Sequence, residues 1–520
     1  TGSISTLSNY GHYTTTNGNA DDTTNAAAGL ITGTSGNFGN TINSGTINVT
    51  STSFSSVTNE QNATFTSQSG YIWTGFDNSG TASLTSSSIT GDVTNRTSGT
   101  LTTTGAVNGN IQNYGTLNLN SGAMVAGNVV NTSGTLNISG ITTMILGNLD
   151  AEGGTFNVNN GAVNSLSGSA NGTVQGILAI SRGSNTVYSG ILSGSGGISI
   201  SGGTQGLSGQ NTYTGSTSVS AGASLQLSGS IAGSLTNNSM ANAPTVIASG
   251  AEVHGNVLNF GSLSVNGTVG GVVINLKGAT IQATNNATFN QSITNSGTVN
   301  LNNSSTIKGG VTNTSGSTFT LAGASSIAGT VNNAGTFNIT TNALVGGAFT
   351  NSTTLNMDAG TIQGALSNTG VATVQNGSLV DSVENKSGTS TFSDSTISNA
   401  AVNDAGGTLS ISGGTVGSAV NAGSMTLANS NTVSGTVTNT SGSLTLDGNT
   451  ITGALLANGG SFTVTSNGST LGSLSGSANG SLNGLLSLAT ASNTYSGILS
   501  GTGGIKIAAS GTEIFNGDNT

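Results

Sequence analysis

Residues able to do chemistry are scarce in this chain: sixteen Asp and Glu, six Lys and Arg, two His and no Cys among 520 residues. Hydrolytic or eliminating sites need carboxylates that converge, with a base, a cation or a metal beside them. The densest acids are Asp381, Glu384, Asp394 and Asp404. They fall at different offsets of the repeat set out below, so they face different directions and read as a solvated surface. His12 and His254 are far apart in sequence and no Gly-x-Ser-x-Gly elbow accompanies them, which leaves a nucleophile and base triad unsupported. Asp21 with Asp22, and Asp150 with Glu152, lack the repeated acidic spacing of a calcium-binding β-roll or an EF-hand loop. The absence of Cys removes thiolate metal sites and disulfides alike. The expectation is a protein without enzymatic activity, cofactor or metal.

One aromatic concentration stands out, Tyr71, Trp73 and Phe76, which includes the sole Trp. Exposed, Trp73 and Tyr71 would stack on a sugar ring. Alternation places these two on one face of a strand, and the favoured reading is the inner face, where they would fill a wider coil.

The elements that must position these residues come from a repeat. Asn43, Asn59, Asn78, Asn95, Asn113 and Asn131 recur at intervals of 16 to 19, and the series resumes as Asn259, Asn275, Asn295, Asn313, Asn333, Asn351, Asn368, Asn385, Asn403, Asn421, Asn439 and Asn458. Around each Asn the unit reads approximately Gly-x-Val-x-Asn-x-Ser-Gly-Thr-Leu-x-Leu, then a Gly, Asn or Ser turn, then Thr-Ile or Thr-Val. Leu136 and Ile138 alternating with Asn137 show the period of two that marks a half-buried strand. Three such short strands cannot bury their own apolar face, so neighbouring units must stack into a solenoid with parallel pairing. The predicted class is all-β, a right-handed parallel β-helix with coils of about 18 residues. Strict hexapeptides would instead give a left-handed helix, but here the apolar offsets are uneven. The Asn residues are expected to tolerate a left-handed φ at a turn and to bond one another as a ladder along the axis. Lys386 and Asp404 each follow a column Asn, so they are expected on successive coils as a surface ion pair contributing under about 1 kcal/mol.

A longer repeat encloses the first. SLSGSANG at Ser165–Gly172 returns at Ser473–Gly480, and YSGILSGSGGI from Tyr188 returns as YSGILSGTGGI from Tyr495, about 308 residues on. LSGQNTYTGSTSVSAGASLQLSG, Leu207–Gly229, resembles the passenger-associated transport repeat of autotransporter passenger domains, whose pattern is Leu-x-Gly-x-Asn-Thr-Tyr-x-Gly-x-Thr. The resemblance covers two short stretches directly. It implies a right-handed β-helix, type V secretion with an outer-membrane barrel outside this segment, and an extracellular place on the cell surface of a Gram-negative bacterium. On this reading residues 1–36 end a preceding repeat and form a linker, 37–175 are a first β-helix block and 176–230 a transport-type repeat. Residues 231–483 form a second block and 484–520 begin a second transport-type repeat, the whole being an excerpt of a longer tiled passenger. The Gly-Asp-Ser-Gly signature of autotransporter proteases is absent.

Composition narrows the function. Charged residues are 4% of the chain, 33% of residues are hydrophobic, Gly numbers 84 and Pro one, and the net charge is −10. Without a basic patch, nucleic acid is not an expected partner. A weakly charged surface rich in Ser, Thr and Asn suits self-association, and the leading expectation is an adhesin mediating autoaggregation, surface attachment and biofilm formation, with a host or surface glycan or protein as a further partner. A structural subunit of an extracellular fibre or sheath is the alternative. Ice binding is disfavoured because no Thr-x-Thr stays in register over successive coils, and a glycan-active enzyme because no carboxylates converge.

Overall fold

The computed structural model describes residues 3–520 and is all-β, a parallel β-solenoid of about 18 residues per turn with no helix among the described residues. It divides into two compact units, the first as far as Gly271 and the second from Val272.

A coil is three short strands joined by tight turns. In unit 1, Val129–Asn131 and Thr135–Ser139 are followed by Met144–Ala151, which completes that coil and opens the next. Successive coils pair in parallel and in register, so a residue's structural neighbours are one coil away. Three columns of strands result. The first carries the Asn residues. The second carries Leu-x-Leu and in unit 1 forms an eleven-stranded sheet from His12–Thr15 to Leu192–Ser193. The third carries Thr-Ile or Thr-Val. Alternate residues point inward, and Leu101, Leu117, Leu136 and Phe156 stack in a fully buried row. Phe319 and Phe337 lie face to face in unit 2, ring centroids 4.8 Å apart.

The turns explain the glycines. At Gly115 an added Cβ would stand 2.2 Å from Gly99 O, because the turn backbone of one coil lies directly on that of the last. Pro244 falls in a loop outside the strands, as a residue without an N–H must in a fully paired ladder.

The Asn residues point into the core. Asn95 Nδ2 donates to Asn113 Oδ1 at 2.8 Å and to Thr116 O at 3.0 Å, and Asn113 Nδ2 passes the pattern on to Asn131 at 2.7 Å. In unit 1 the ladder runs unbroken from Asn9 through Asn25, Asn43, Asn59 and Asn78 to Asn131, and in unit 2 from Asn275 to Asn439, with every link 2.7 to 3.0 Å. Asn9, Asn25 and Asn237 also belong, and Asn458 does not, because Ala457 is the residue in register with Asn439. The expected left-handed φ is not found at these Asn residues. It falls at other turns, on Ser51, Ser69 and Ser86 in unit 1 and Asn303 and Asn376 in unit 2. The ladder Asn ends a strand in extended backbone, and its amide supplies the bonding that its turn needs.

The two ladders end alike. Asn131 is followed in its column by Ala151, Gly168 and Tyr188, and Asn439 by Ala457, Gly476 and Tyr495. The two buried phenols donate to Ala170 O and Ala478 O. In unit 1 a new ladder then starts at Asn237 and Asn259, on the third column and not the first. Their register runs back through Val219, Ile200 and Ile180 to Val163. The old Asn column meanwhile continues as Leu207, Leu227, Ile247 and Val265.

Two predictions follow from the buried polar groups. Asn113→Ala leaves Asn95 and Asn131 each short of a partner and is expected to cost about 1–3 kcal/mol, read as a lower urea midpoint by circular dichroism, while Thr97→Ala on the surface changes little. Burial also pushes the phenols of Tyr188 and Tyr213 well above their usual range, and that of Tyr495 up to about 12. A phenol raised in the folded state contributes stability below its unfolded value of about 10, and that contribution is lost as pH rises towards the folded value. Stability is therefore expected to fall from about pH 10 upward, with phenolate absorbance and loss of strand signal appearing together. Tyr495→Phe should weaken that alkaline dependence.

Candidate functional site

The outward positions of the Leu-x-Leu strands form a site that sequence columns alone do not display. In unit 1 the residue before the first inward position is Thr on seven successive coils, from Thr46 through Thr81 and Thr116 to Thr155, held in register by the strand pairing. Two residues on, a second rank runs Asn48, Thr66, Ser83, Thr102, Asn118, Asn137 and Asn157. The ranks are half-buried or exposed, about 4.8 Å apart along the column and about 6.6 Å across it. Asn118 Nδ2 donates to Thr102 Oγ1 at 3.0 Å, and Asn137 and Asn157 each donate to the preceding Asn at 2.8 Å. In unit 2 the same two ranks span ten coils, from Thr298 and Asn300 to Ser461 and Thr463, with Val371 the one apolar member. No charged side chain stands in either rank. Strict Thr-x-Thr occurs only on separate coils, Thr64-x-Thr66 and Thr100-x-Thr102 among them, so no Thr-x-Thr is in register on successive coils, as read from the sequence; what keeps register is the first Thr rank by itself.

Tyr71 and Trp73 point outward, against the favoured reading of the sequence. They are 47% and 54% exposed, and their rings stack with centroids 5.4 Å apart and planes 15° from parallel. Ile72 is the residue that faces inward, in register with Phe54 and Ile89, and Phe76 is buried below. The strand Tyr71–Asn78 carries a bulge here: between the pairs Ile72 with Phe54 and Gly75 with Ser56, Trp73 and Thr74 together oppose Ser55. Thr74 Oγ1 donates to Ser55 O at 2.8 Å and pins it.

The ionisable residues meet in isolated pairs. Lys386 and Asp404 do lie on neighbouring coils, since Asn385 is in register with Asn403, but the Lys386 ammonium meets Glu384 at 3.3 Å instead of Asp404. Glu384 and Lys386 flank the inward Asn385 on one strand end and both point outward, so the shorter reach prevails. The bidentate pair of Arg96 with Asp77, Nε to Oδ1 2.6 Å, was not expected from sequence. It joins the residue after Asn95 to the residue before Asn78. Asp381 accepts from Asn399, and Asp394 sits at a turn with φ 48°. Asp22 accepts from Asn40 at 3.3 Å, and Glu152 from Thr132 at 3.4 Å. His254 Nδ1 lies 3.3 Å from Glu252, while His12 occupies a strand beside Leu30–Thr34. Among the described residues no three His, Cys, Asp or Glu side chains gather into a group able to hold a metal ion.

Compared with known proteins, no family model matches the chain and no curated sequence is significantly similar to it. The parallel β-solenoid is therefore established by its geometry alone. The placement of Trp73 has a direct readout: acrylamide should quench its emission in the native chain nearly as well as in the unfolded chain, and a strongly shielded indole would overturn the outward orientation.

Proposed function

We infer that this chain is a self-associating extracellular protein of a bacterial surface, an adhesive passenger in which polar ranks on one copy meet those on another. The observation that carries this reading is the pair of uncharged hydroxyl and amide ranks, repeated without interruption by charge over seven coils of unit 1 and ten of unit 2. Apart from Val371, each side chain offers a donor and an acceptor, so two such surfaces are self-complementary. One cross-bond contributes little net free energy in water, but many presented at fixed spacing act together once the first are made. Low charge removes the repulsion that would oppose the approach of two copies. Type V export and display on a Gram-negative cell rest on the likeness of Leu207–Gly229 to a transport repeat.

The test uses the full chain. Substituting Thr64, Thr81, Thr100 and Thr116 by Lys should leave the strand signal intact, lower the association constant measured by sedimentation at least tenfold, and reduce clumping of cells that display it. If the unaltered chain remains a monomer at high concentration and cells displaying it do not clump, the reading fails.

A further inference from the structure

We propose that Tyr71 and Trp73 form a carbohydrate-binding site in unit 1, taking a neutral pyranose unit of a polysaccharide against the open face of the Trp73 indole. Four observations point there. First, the rings are outside: the phenylalanines of the neighbouring coils, Phe38, Phe54, Phe65 and Phe76, are buried, whereas the sole Trp of the chain is more than half exposed. Leaving an indole in water forgoes a large burial gain, and the register gives it no inward place, since Ile72 already fills that position. Second, the two rings are held. The bulge at Trp73 and Thr74 re-aims the strand locally, as bulges beside functional sites do, and the bond from Thr74 to Ser55 O fixes it. Stacking on Tyr71 at 5.4 Å restricts the indole further.

Third, the flanking coils leave the pair standing clear. In register with Tyr71 are Ser53 on one side and Ser88 on the other, both small. Thr90, whose N–H bonds Ile72 O at 2.8 Å, lies on the next coil beside Trp73, with Asn108 beyond it. Fourth, the chemistry is mixed in the way a sugar requires. A pyranose presents a face of C–H groups to a π-system and a rim of hydroxyls to neutral donors and acceptors, and here an aromatic platform is bordered by Ser, Thr and Asn. Asp92, the nearest acid along the neighbouring coil, is engaged with Asn110, whose N–H donates to Asp92 Oδ1 at 2.7 Å. Among the described residues no Lys or Arg lies on the strand Tyr71–Asn78 or at the positions in register with Tyr71 and Ile72. The site lies on a different strand column from the polar ranks of unit 1, so it stands independently of self-association.

Because Trp73 is the only Trp, its emission reports on this site alone. The full chain is titrated with the hexasaccharides of cellulose, chitin, mannan and laminarin, with heparin and polygalacturonate as acidic comparisons. The expected result is a saturable shift or quenching with at least one neutral hexasaccharide, weakened about tenfold in Tyr71→Ala. Co-sedimentation with the corresponding insoluble polysaccharide provides a readout free of fluorescence, and there Trp73→Ala should lose binding while Trp73→Phe keeps part of it. No response to any neutral oligosaccharide, or a response to the acidic polymers only, overturns the proposal. So does an emission change that tracks protein concentration without sugar, since the ring pair would then belong to contact between copies.

Discussion

A primary amide buried in an apolar core is stable only when its donors and acceptor are all occupied, and the solenoid is arranged around meeting that demand coil after coil. Within the run a ladder Asn gives one N–H to the next Asn and, on most coils, the other to turn carbonyls, as Asn385 does to Asn403 Oδ1, Gly388 O and Thr408 O. Its Oδ1 receives the previous amide, and in several coils also a turn N–H, as Asn43 receives that of Gly45. The ladder therefore couples two things that a plain aliphatic core leaves independent: the stacking of coils and the shape of the turn. It also fixes register. A slip by one residue would bury the neighbours of Asn and expose the amide, leaving several buried groups without partners at once.

Much of this was legible in the sequence because it is set by short-range pattern. The spacing near eighteen, the Leu-x-Leu alternation and the amide ladder all follow from local periodicity. Asn9, Asn25 and Asn237 were missed because they lack the full motif. Asn25 is followed by Ala26, Ala27 and Ala28 before Gly29 and Leu30, without the Ser-Gly-Thr of the unit, and Asn237 is followed by Asn238 and Ser239 without Gly. Asn458 was included because adjacency to the right turn looks the same from the sequence as membership of the column.

The side-chain sites were harder to read for a different reason. Alternation gives the parity of a strand but not which parity faces the core, so Tyr71 and Trp73 on one face could be either. The deciding signal lay on neighbouring coils, where Phe54, Ile72 and Ile89 form a continuous apolar column. The Lys386 partner depended on reach: two outward residues around one inward residue are close on their own strand, and this contact competes with the one across coils. The polar ranks were hidden because coil lengths of 16 to 20 scatter their members in any fixed-period alignment, and only strand pairing realigns them.

The transfer of the amide ladder within unit 1 from one strand column to another bears on how such a chain can change length. The first column accepts an Asn-ended strand at Asn131 and a Leu-x-Leu strand by Leu225–Leu227, and the third accepts aliphatic strands and then Asn237. The backbone pairing is thus indifferent to which motif it receives, provided inward residues meet inward residues. Growth or loss of sequence need not come in whole coils. A strand and its turn can be accommodated by the next column, so the geometric step of this solenoid is a third of a turn.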